Sequence, residues 1–155
     1  MKDLVLMLIE KGLTIATMES CTGGGVANVI TNIEGASEIL KYSAVTYSNE
    51  YKIKMGVDPN VIDKYSVYSM ETAIEMSKNI SSFAGSDIGV GITGKLNRVD
   101  VNNPYGDDNV VFISIYDAKS EKYYNDKIEA TLGSRKENKE LVIRKIIEMI
   151  FSFVK

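Results

Sequence analysis

The chain has 155 residues, of which 45% are hydrophobic and 25% are charged, and its formal net charge is −3. This length predicts one domain, residues 1–155, that buries its own core, and the acidic balance argues against nucleic-acid binding. The single Cys and the absence of His exclude a disulfide framework, a Cys-rich or imidazole-ligated metal site and a Ser–His–Asp triad. Acid–base chemistry is therefore left to carboxylates, Lys, Tyr or the thiol of Cys21.

The N-terminal part of the chain predicts a helix, a strand and a second helix. Residues 2–11 place apolar side chains among charges, which indicates a helix that stops at Gly12. Residues 13–17 form a short β-branched run that is typical of a buried strand. A Gly-rich turn over residues 19–25 then leads into an apolar segment, residues 26–30, that predicts the second helix.

The middle of the chain predicts one strand and one long helix. Residues 42–47 indicate the strand, and residues 49–54 a polar helical start after it. Residues 56–60 predict a break. Ser69 is a candidate N-cap for a helix that begins at about Met70 and carries an apolar stripe.

The last third of the chain predicts three strands and a terminal helix. Residues 87–92 indicate an apolar strand, and an irregular stretch rich in Asn, Asp and Gly follows over residues 93–108. Residues 109–116 and 122–130 predict a hairpin, and residues 135–153 a helix. Since early strands alternate with helices, we expect a three-layer α/β/α domain with a mostly parallel mixed sheet and an antiparallel edge hairpin.

The Gly-rich turn after the first strand is a candidate anion site. A turn that opens a helix leaves backbone N–H groups free for an oxyanion or a phosphate. The same pattern is typical of a tight turn that packs a helix on a sheet, with Ser20 or Thr22 as its cap. The turn matches neither a Walker A loop nor a G-x-G-x-x-G fingerprint, and by itself it does not decide between the two roles.

A catalytic role for Ser20 requires a base. Without His, the plausible base is a Lys that burial or neighbouring cations keep neutral, and Lys52 follows the second predicted strand. The carboxyl ends of parallel strands share one sheet edge, so the topology permits a Ser20–Lys52 pair without establishing it. Cys21 is an alternative nucleophile, but a lone Cys is more often a buried packing residue, and we favour that role.

Two segments resemble a known family. Residues 19–24 read Glu-Ser-Cys-Thr-Gly-Gly and residues 47–52 read Tyr-Ser-Asn-Glu-Tyr-Lys. Together they resemble the C-terminal domain of the competence/damage-inducible protein CinA, a family that includes stand-alone nicotinamide-nucleotide amidohydrolases, also called NMN deamidases. Further segments agree in order and spacing, namely residues 34–37, 56–57, 67–69, 87–94 and 133–135.

The resemblance implies a hydrolase of linear amides that serves NAD recycling. The family reaction converts nicotinamide mononucleotide (NMN) and water to nicotinate mononucleotide and ammonia. By motif position, Ser20 is the nucleophile, Lys52 its general base and Tyr47 a nearby hydroxyl. Backbone N–H groups after Ser20 would form part of an oxyanion hole. The candidate substrate-binding residues are Thr22, Gly23, Gly24, Thr93, Gly94 and Arg135.

Several further expectations concern geometry and partners. Ser20, Tyr47, Lys52 and Thr93 should line one cleft, and Arg135 is a candidate for the substrate phosphate or, equally, a surface residue at a helix start. No segment reaches the roughly 18 apolar residues of a membrane span. We therefore expect a cytoplasmic protein without a membrane partner. We further expect a homo-oligomer with no metal, cofactor or nucleic-acid partner, and the resemblance implies a small pyridine nucleotide as substrate.

Residues 95–105 depart from the family, which usually has a segment rich in Gly and Pro after Thr93 and Gly94. The polar replacement should be mobile, have few apolar anchors and weaken NMN turnover. An alternative is a catalytically impaired or reassigned family member that binds a nucleotide or anion. A third possibility is a Ser–Lys hydrolase of an unrelated amide.

Overall fold

A mixed sheet with helices on both faces forms the frame of the molecule in a computed structural model, which describes residues 1–98 and 100–155. Val99, in the divergent segment 95–105, lies outside the described residues. The elements in chain order are α1 (Lys2–Lys11), β1 (Ile15–Glu19), α2 (Gly25–Thr31), α3 (Ala36–Ile39), β2 (Leu40–Val45), α4 (Asn49–Lys54), α5 (Pro59–Tyr65), α6 (Met70–Ala84), β3 (Ile88–Gly94), β4 (Val110–Asp117), β5 (Lys122–Glu129) and α7 (Arg135–Val154).

The five strands lie in the order β2-β1-β3-β4-β5. β1 pairs in parallel with both β2 and β3, whereas β4 pairs antiparallel with β3 and with β5. The carboxyl ends of β1, β2 and β3 therefore meet at one edge of the sheet. The predicted fold class is confirmed, including the antiparallel hairpin at one side.

Each face of the sheet is covered by its own helices. On one face, α1, α2 and α7 bury an apolar cluster that includes Ile15, Ile92 and Ile113 of the strands. On the other face, α6 packs across the sheet, and Met76 joins Met18 of β1 in a second cluster. The burial of these two clusters is the main apolar stabilisation of the three layers.

The close approach of α6 to β3 depends on two glycines. A Cβ at Gly89 would lie 2.0 Å from the carbonyl oxygen of Ser77, and one at Gly91 would lie 2.3 Å from that of Ala73. Any larger side chain would push the helix off the sheet. The glycines thereby hold the start of α6 near the carboxyl edge, where Thr93 donates a hydrogen bond to the Val67 carbonyl.

The first two strands begin and end at other residues than predicted. β1 starts at Ile15 because Leu13 still belongs to the end of α1, where its N–H donates to the Leu8 carbonyl. It continues to Glu19. β2 ends at Val45, two residues before the predicted end, since the chain then turns into α4.

Local helix signals agree with several predictions. Gly12 ends α1 in the left-handed conformation, and Ser69 caps α6 by accepting a hydrogen bond from the Thr72 N–H at 3.2 Å. The predicted break over residues 56–60 is partly wrong, because Asp58 and Pro59 start α5 there. None of the helices within residues 1–98 and 100–155 is long and apolar enough to cross a membrane.

Candidate active site

A cavity of about 630 Å³ opens at the carboxyl edge of the sheet. Ser20, which follows β1, and Gly94, which ends β3, lie on its lining. Tyr47 contributes from the segment after β2, and Arg135 from the start of α7. The cavity therefore lies at the edge where ligands of parallel α/β sheets usually bind.

Lys52 is buried behind Ser20 and is not among the residues that line the cavity, so the expectation that Lys52 itself lines the cleft is wrong. Its amine lies 3.2 Å from the Ser20 hydroxyl oxygen and donates a hydrogen bond to the Thr46 carbonyl at 2.7 Å. The Lys52 side chain is 1% exposed, and burial lowers its pKa from the usual 10.5 to about 8, against opposing effects of Cys21 and Asp100. Burial thus makes the neutral amine, which can accept a proton, accessible near physiological pH.

Two local features hold this pair in place. The Ser20 N–H donates to the Ile92 carbonyl of β3 at 3.1 Å, which continues the β1–β3 pairing by one residue. Ser48 caps α4 by accepting a hydrogen bond from the Tyr51 N–H at 3.3 Å, and Lys52 lies in the last turn of this short helix. The predicted Ser20–Lys52 proximity is present.

The Gly-rich turn is capped by Glu19, a residue to which the sequence assigned no role. Its buried carboxylate accepts hydrogen bonds from the Thr22 hydroxyl at 2.7 Å and from the N–H groups of Val26 and Ala27 at 3.1 and 3.0 Å. Ser20 and Thr22, which the tight-turn alternative named as caps, therefore do not cap α2. The internal carboxylate occupies the position at which an external anion would meet the helix N-terminus.

Other backbone donors remain beside Ser20. The N–H groups of Gly23 and Gly25 donate to the carbonyls of Ser20 and Thr22, at 2.9 and 3.1 Å. Within the described part of the chain, those of Cys21 and Thr22 donate to no other residue. These two N–H groups are the candidate oxyanion hole.

The Cys21 side chain is buried and packs in the apolar cluster on the α2 and α7 side of the sheet. Burial raises the pKa of its thiol from the usual 9.0 to about 12. A thiolate, which is the reactive form, is thus disfavoured at neutral pH. The environment of Cys21 is that of a packing residue.

Tyr47 and Arg135 contact each other across the mouth of the cavity. The Arg135 guanidinium donates to the Tyr47 hydroxyl at 2.9 Å and also to the Leu96 carbonyl. Tyr47 is 63% exposed, and its hydroxyl makes no hydrogen bond to Ser20 or Lys52 in the described structure. Both residues line the cavity, and Tyr47 is tied to Arg135 rather than to the Ser20–Lys52 pair.

The predicted substrate-binding residues divide into two groups. Gly94 and Arg135 line the cavity, whereas Thr22, Gly23 and Gly24 are not among its lining residues, and the Thr22 side chain donates to Glu19 instead. The expectation that Thr93 lines the cleft is wrong. Its fully buried hydroxyl donates to the Val67 carbonyl at 2.8 Å, so it fixes the segment before α6.

The divergent segment is anchored more firmly than its polar composition suggested. Leu96 is 1% exposed and joins the main apolar cluster. The buried Lys95 amine donates to the Gly106 carbonyl at 2.9 Å and lies 3.5 Å from the Asp108 carboxylate. Val101 and Tyr105 are exposed, so the described part of the segment has few apolar anchors, as expected, and the polar contacts of Lys95 add to the anchoring by Leu96.

A hydrogen-bonded chain of four residues borders the cavity, and the sequence did not single it out. Asp100 accepts from the Tyr68 hydroxyl at 2.5 Å and from the Asn103 amide at 2.9 Å. Asn49 donates in turn to Asn103 at 2.8 Å. These hydrogen bonds lower the pKa of Asp100, and burial and the same bond raise that of Tyr68. This series of hydrogen bonds connects the divergent segment to the start of α4.

The comparisons with known proteins agree in one family. The sequence-family model of the CinA C-terminal domain matches residues 1–154 of this chain. A CinA-like protein of Kosmotoga olearia is 47% identical over 96 residues, which are 61% of this chain and 23% of that protein. The chain thus matches less than a quarter of that relative's length.

Solved structures extend the similarity to nearly the whole chain. A CinA superfamily protein of Escherichia coli superposes with a TM-score of 0.88 at 22% identity, covering 98% of this chain and 87% of that one. The competence/damage inducible protein CihA of Agrobacterium tumefaciens gives 0.87 at 24% identity, covering 99% and 95%. At these identities, the superpositions show a shared fold.

Proposed function

The chain belongs to the CinA C-terminal domain family, and we propose that it is an amidohydrolase that converts NMN and water to nicotinate mononucleotide and ammonia. The observation that supports this most directly is the buried Lys52 amine, 3.2 Å from the Ser20 hydroxyl at the edge of a cavity. A nucleophile beside a neutral amine is the minimum requirement for amide cleavage without His or metal.

In the first step, the neutral Lys52 amine accepts the Ser20 proton while the Ser20 oxygen attacks the carboxamide carbon. The Lys52 nitrogen donates one hydrogen bond to the Thr46 carbonyl oxygen at 2.7 Å, and its lone pair remains available to accept the Ser20 proton. The tetrahedral oxyanion receives hydrogen bonds from the N–H groups of Cys21 and Thr22. Hydrogen bonds of this kind account for roughly 3 kcal/mol of transition-state stabilisation per donor in other hydrolases.

In the second step, the C–N bond breaks and the leaving amide nitrogen takes the proton from Lys52, so that ammonia departs. The acyl group remains as an ester on Ser20. Lys52, neutral again, then removes a proton from an incoming water, whose oxygen attacks the ester carbon. The product acid leaves, and the proton on Lys52 returns to the Ser20 oxygen.

The charges around the cavity suit a phosphate-bearing substrate. Arg98 and Arg135 lie on its lining, and Arg135 is oriented by Tyr47 and the Leu96 carbonyl. A guanidinium suits a phosphate through its paired donors. Glu19 fills the helix N-terminus, so these arginines are the better candidates for the phosphate.

The proposal is tested by a panel of amides assayed for ammonia release, with the products identified by mass spectrometry. We expect equal amounts of ammonia and nicotinate mononucleotide from NMN, and little release from free nicotinamide or glutamine. Release from another amide alone would point to a different Ser–Lys hydrolase. Binding of NMN without release would favour the alternative of a nucleotide-binding module.

A further inference from the structure

Asp100 is an acidic side chain in a cavity whose other charged lining residues are Lys95, Arg98 and Arg135. Two of these cations are engaged elsewhere, because Lys95 binds carbonyls and Asp108, and Arg135 binds Leu96 and Tyr47. Among the described residues, no basic nitrogen lies within 4.0 Å of the Asp100 carboxylate. Its negative charge is therefore not neutralised by a direct ion pair.

Neutral donors hold this charge in a fixed position. The Tyr68 hydroxyl, the Asn103 amide and the Asn102 N–H all donate to the Asp100 carboxylate, at distances of 2.5 to 2.9 Å. Such donors favour the ionised form and orient it without cancelling the charge. Both carboxylate oxygens accept these hydrogen bonds, so the carboxylate is held in one orientation at the cavity lining.

Aromatic rings accompany the carboxylate. Tyr47 and Tyr68 line the same cavity, and the Lys95 amine already lies 5.3 Å from the centroid of the Tyr68 ring. The faces of such rings attract cations, and a phenol that donates to a carboxylate becomes a stronger π donor. Asp100 also acts electrostatically on Lys52, so it lies within range of the reacting pair.

We propose that Asp100, together with the adjoining Tyr68 ring, selects a substrate whose amide is carried by a positively charged aromatic ring. The inference rests on the proposed function and names the residue that favours NMN, whose pyridinium ring is positively charged, over the same nucleotide with a neutral ring. Asp100 belongs to the segment 95–105, in which the sequence predicts a departure from the family. Specificity would thus come from the divergent segment, while Ser20 and Lys52 carry out the chemistry.

The test compares binding of NMN and of its reduced form, whose dihydropyridine ring is neutral, to the Ser20→Ala variant by calorimetry. We expect NMN to bind at least about tenfold more tightly than the reduced nucleotide. Adding Asp100→Asn should weaken NMN binding by about tenfold and change binding of the reduced form by less than about twofold. The amide oxygen of Asn can still accept the Tyr68 hydrogen bond.

Asp107→Asn is the matched control, because it removes a carboxylate from the neighbouring segment that does not line the cavity and that lies 3.5 Å from Lys127 instead. The preference for NMN should survive it. Equal binding of the two nucleotides to Ser20→Ala would overturn the inference without any change at Asp100. If Asp100→Asn weakened the binding of NMN and of the reduced nucleotide equally, Asp100 would only anchor the loop, and the inference would again be overturned.

The failure of this inference is distinguishable from that of the proposed function. Binding to Ser20→Ala does not depend on turnover, whereas ammonia release by the unmodified chain does. An Asp100-dependent preference without ammonia release would support the inference and contradict the hydrolase. Ammonia release from NMN with no preference between the two rings would support the hydrolase and contradict the inference.

Discussion

The Lys52 amine and the Ser20 hydroxyl oxygen lie 3.2 Å apart, although 32 positions separate the two residues in the chain. Ser20 follows β1 and Lys52 lies in the helix after β2, and the parallel pairing of these strands brings both to one edge. The Thr46 carbonyl fixes the amine from the other side. This arrangement leads to predictions on pH dependence, stability and substrate binding.

The first prediction concerns the pH dependence of turnover. Lys52 must be neutral to act as a base, and burial lowers its pKa to about 8. The kcat/KM for NMN should therefore rise with pH and level off above an apparent pKa of about 8, rather than near 10.5. A profile that is flat between about pH 6 and pH 10 would contradict the assignment of Lys52 as the base.

The second prediction concerns stability. Because the Lys52 pKa is lower in the folded chain than in the unfolded one, the unfolded chain binds more protons between about pH 8 and 10.5. Lys52 therefore destabilises the fold below that range, and Lys52→Met should raise the free energy of unfolding at neutral pH by about 1–3 kcal/mol.

Denaturant titrations at several pH values measure the difference in the free energy of unfolding between Lys52→Met and the unmodified chain. It should shrink as the pH rises from about 8 to 10.5, since the unmodified chain gains stability there. The same variant should lose nearly all turnover. A less stable Lys52→Met at neutral pH would show that the amine stabilises the fold and is held there for structural reasons.

The third prediction concerns Glu19. Its buried carboxylate accepts hydrogen bonds from two N–H groups of α2 and from Thr22, and Glu19→Gln replaces one acceptor oxygen by a donor. We expect a loss of about 2–3 kcal/mol in the free energy of unfolding and a large fall in turnover. Glu38→Gln, at an exposed position on α3, is the control and should change stability by less than about 0.5 kcal/mol. Unchanged stability of Glu19→Gln would remove the capping role.

The fourth prediction separates Tyr47 and Arg135 from the catalytic pair. Since the Tyr47 hydroxyl contacts Arg135, Tyr47→Phe should raise the KM for NMN by about three- to tenfold and affect kcat less. Arg135→Ala should raise the KM further, whereas Arg144→Ala, on the same helix but away from the cavity, should not. Steady-state kinetics decides, and a kcat for Tyr47→Phe as low as that of Lys52→Met would assign Tyr47 to the chemistry.

Much of the fold and of the reacting pair could be predicted because their signals are local or topological. Apolar runs, Gly12 and Ser69 indicated the helices and strands, and parallel pairing placed Ser20 and Lys52 at one edge. Element ends were less predictable. Leu13 looked like a strand residue, but its N–H completes the end of α1.

The roles of several site residues depend on contacts between distant segments, which local patterns do not encode. Thr93 has the expected position at the end of β3, but its hydroxyl turns toward Val67. Glu19 was recognised as part of a motif, yet its role as a cap follows only from the return of α2 toward β1. Asp100 pairs with Tyr68, 32 positions away, and no spacing rule predicts that bond.

The most direct test of the account is ammonia release from NMN by the unmodified chain, by Ser20→Ala and by Cys21→Ala, each checked for folding. Ser20→Ala should lower kcat/KM by at least about 1,000-fold, since it removes the attacking oxygen. Cys21→Ala should retain most of the activity, because the buried thiol has a pKa of about 12 and lies outside the proposed chemistry. Full activity of Ser20→Ala, or loss of activity confined to Cys21→Ala, would contradict the Ser20–Lys52 mechanism.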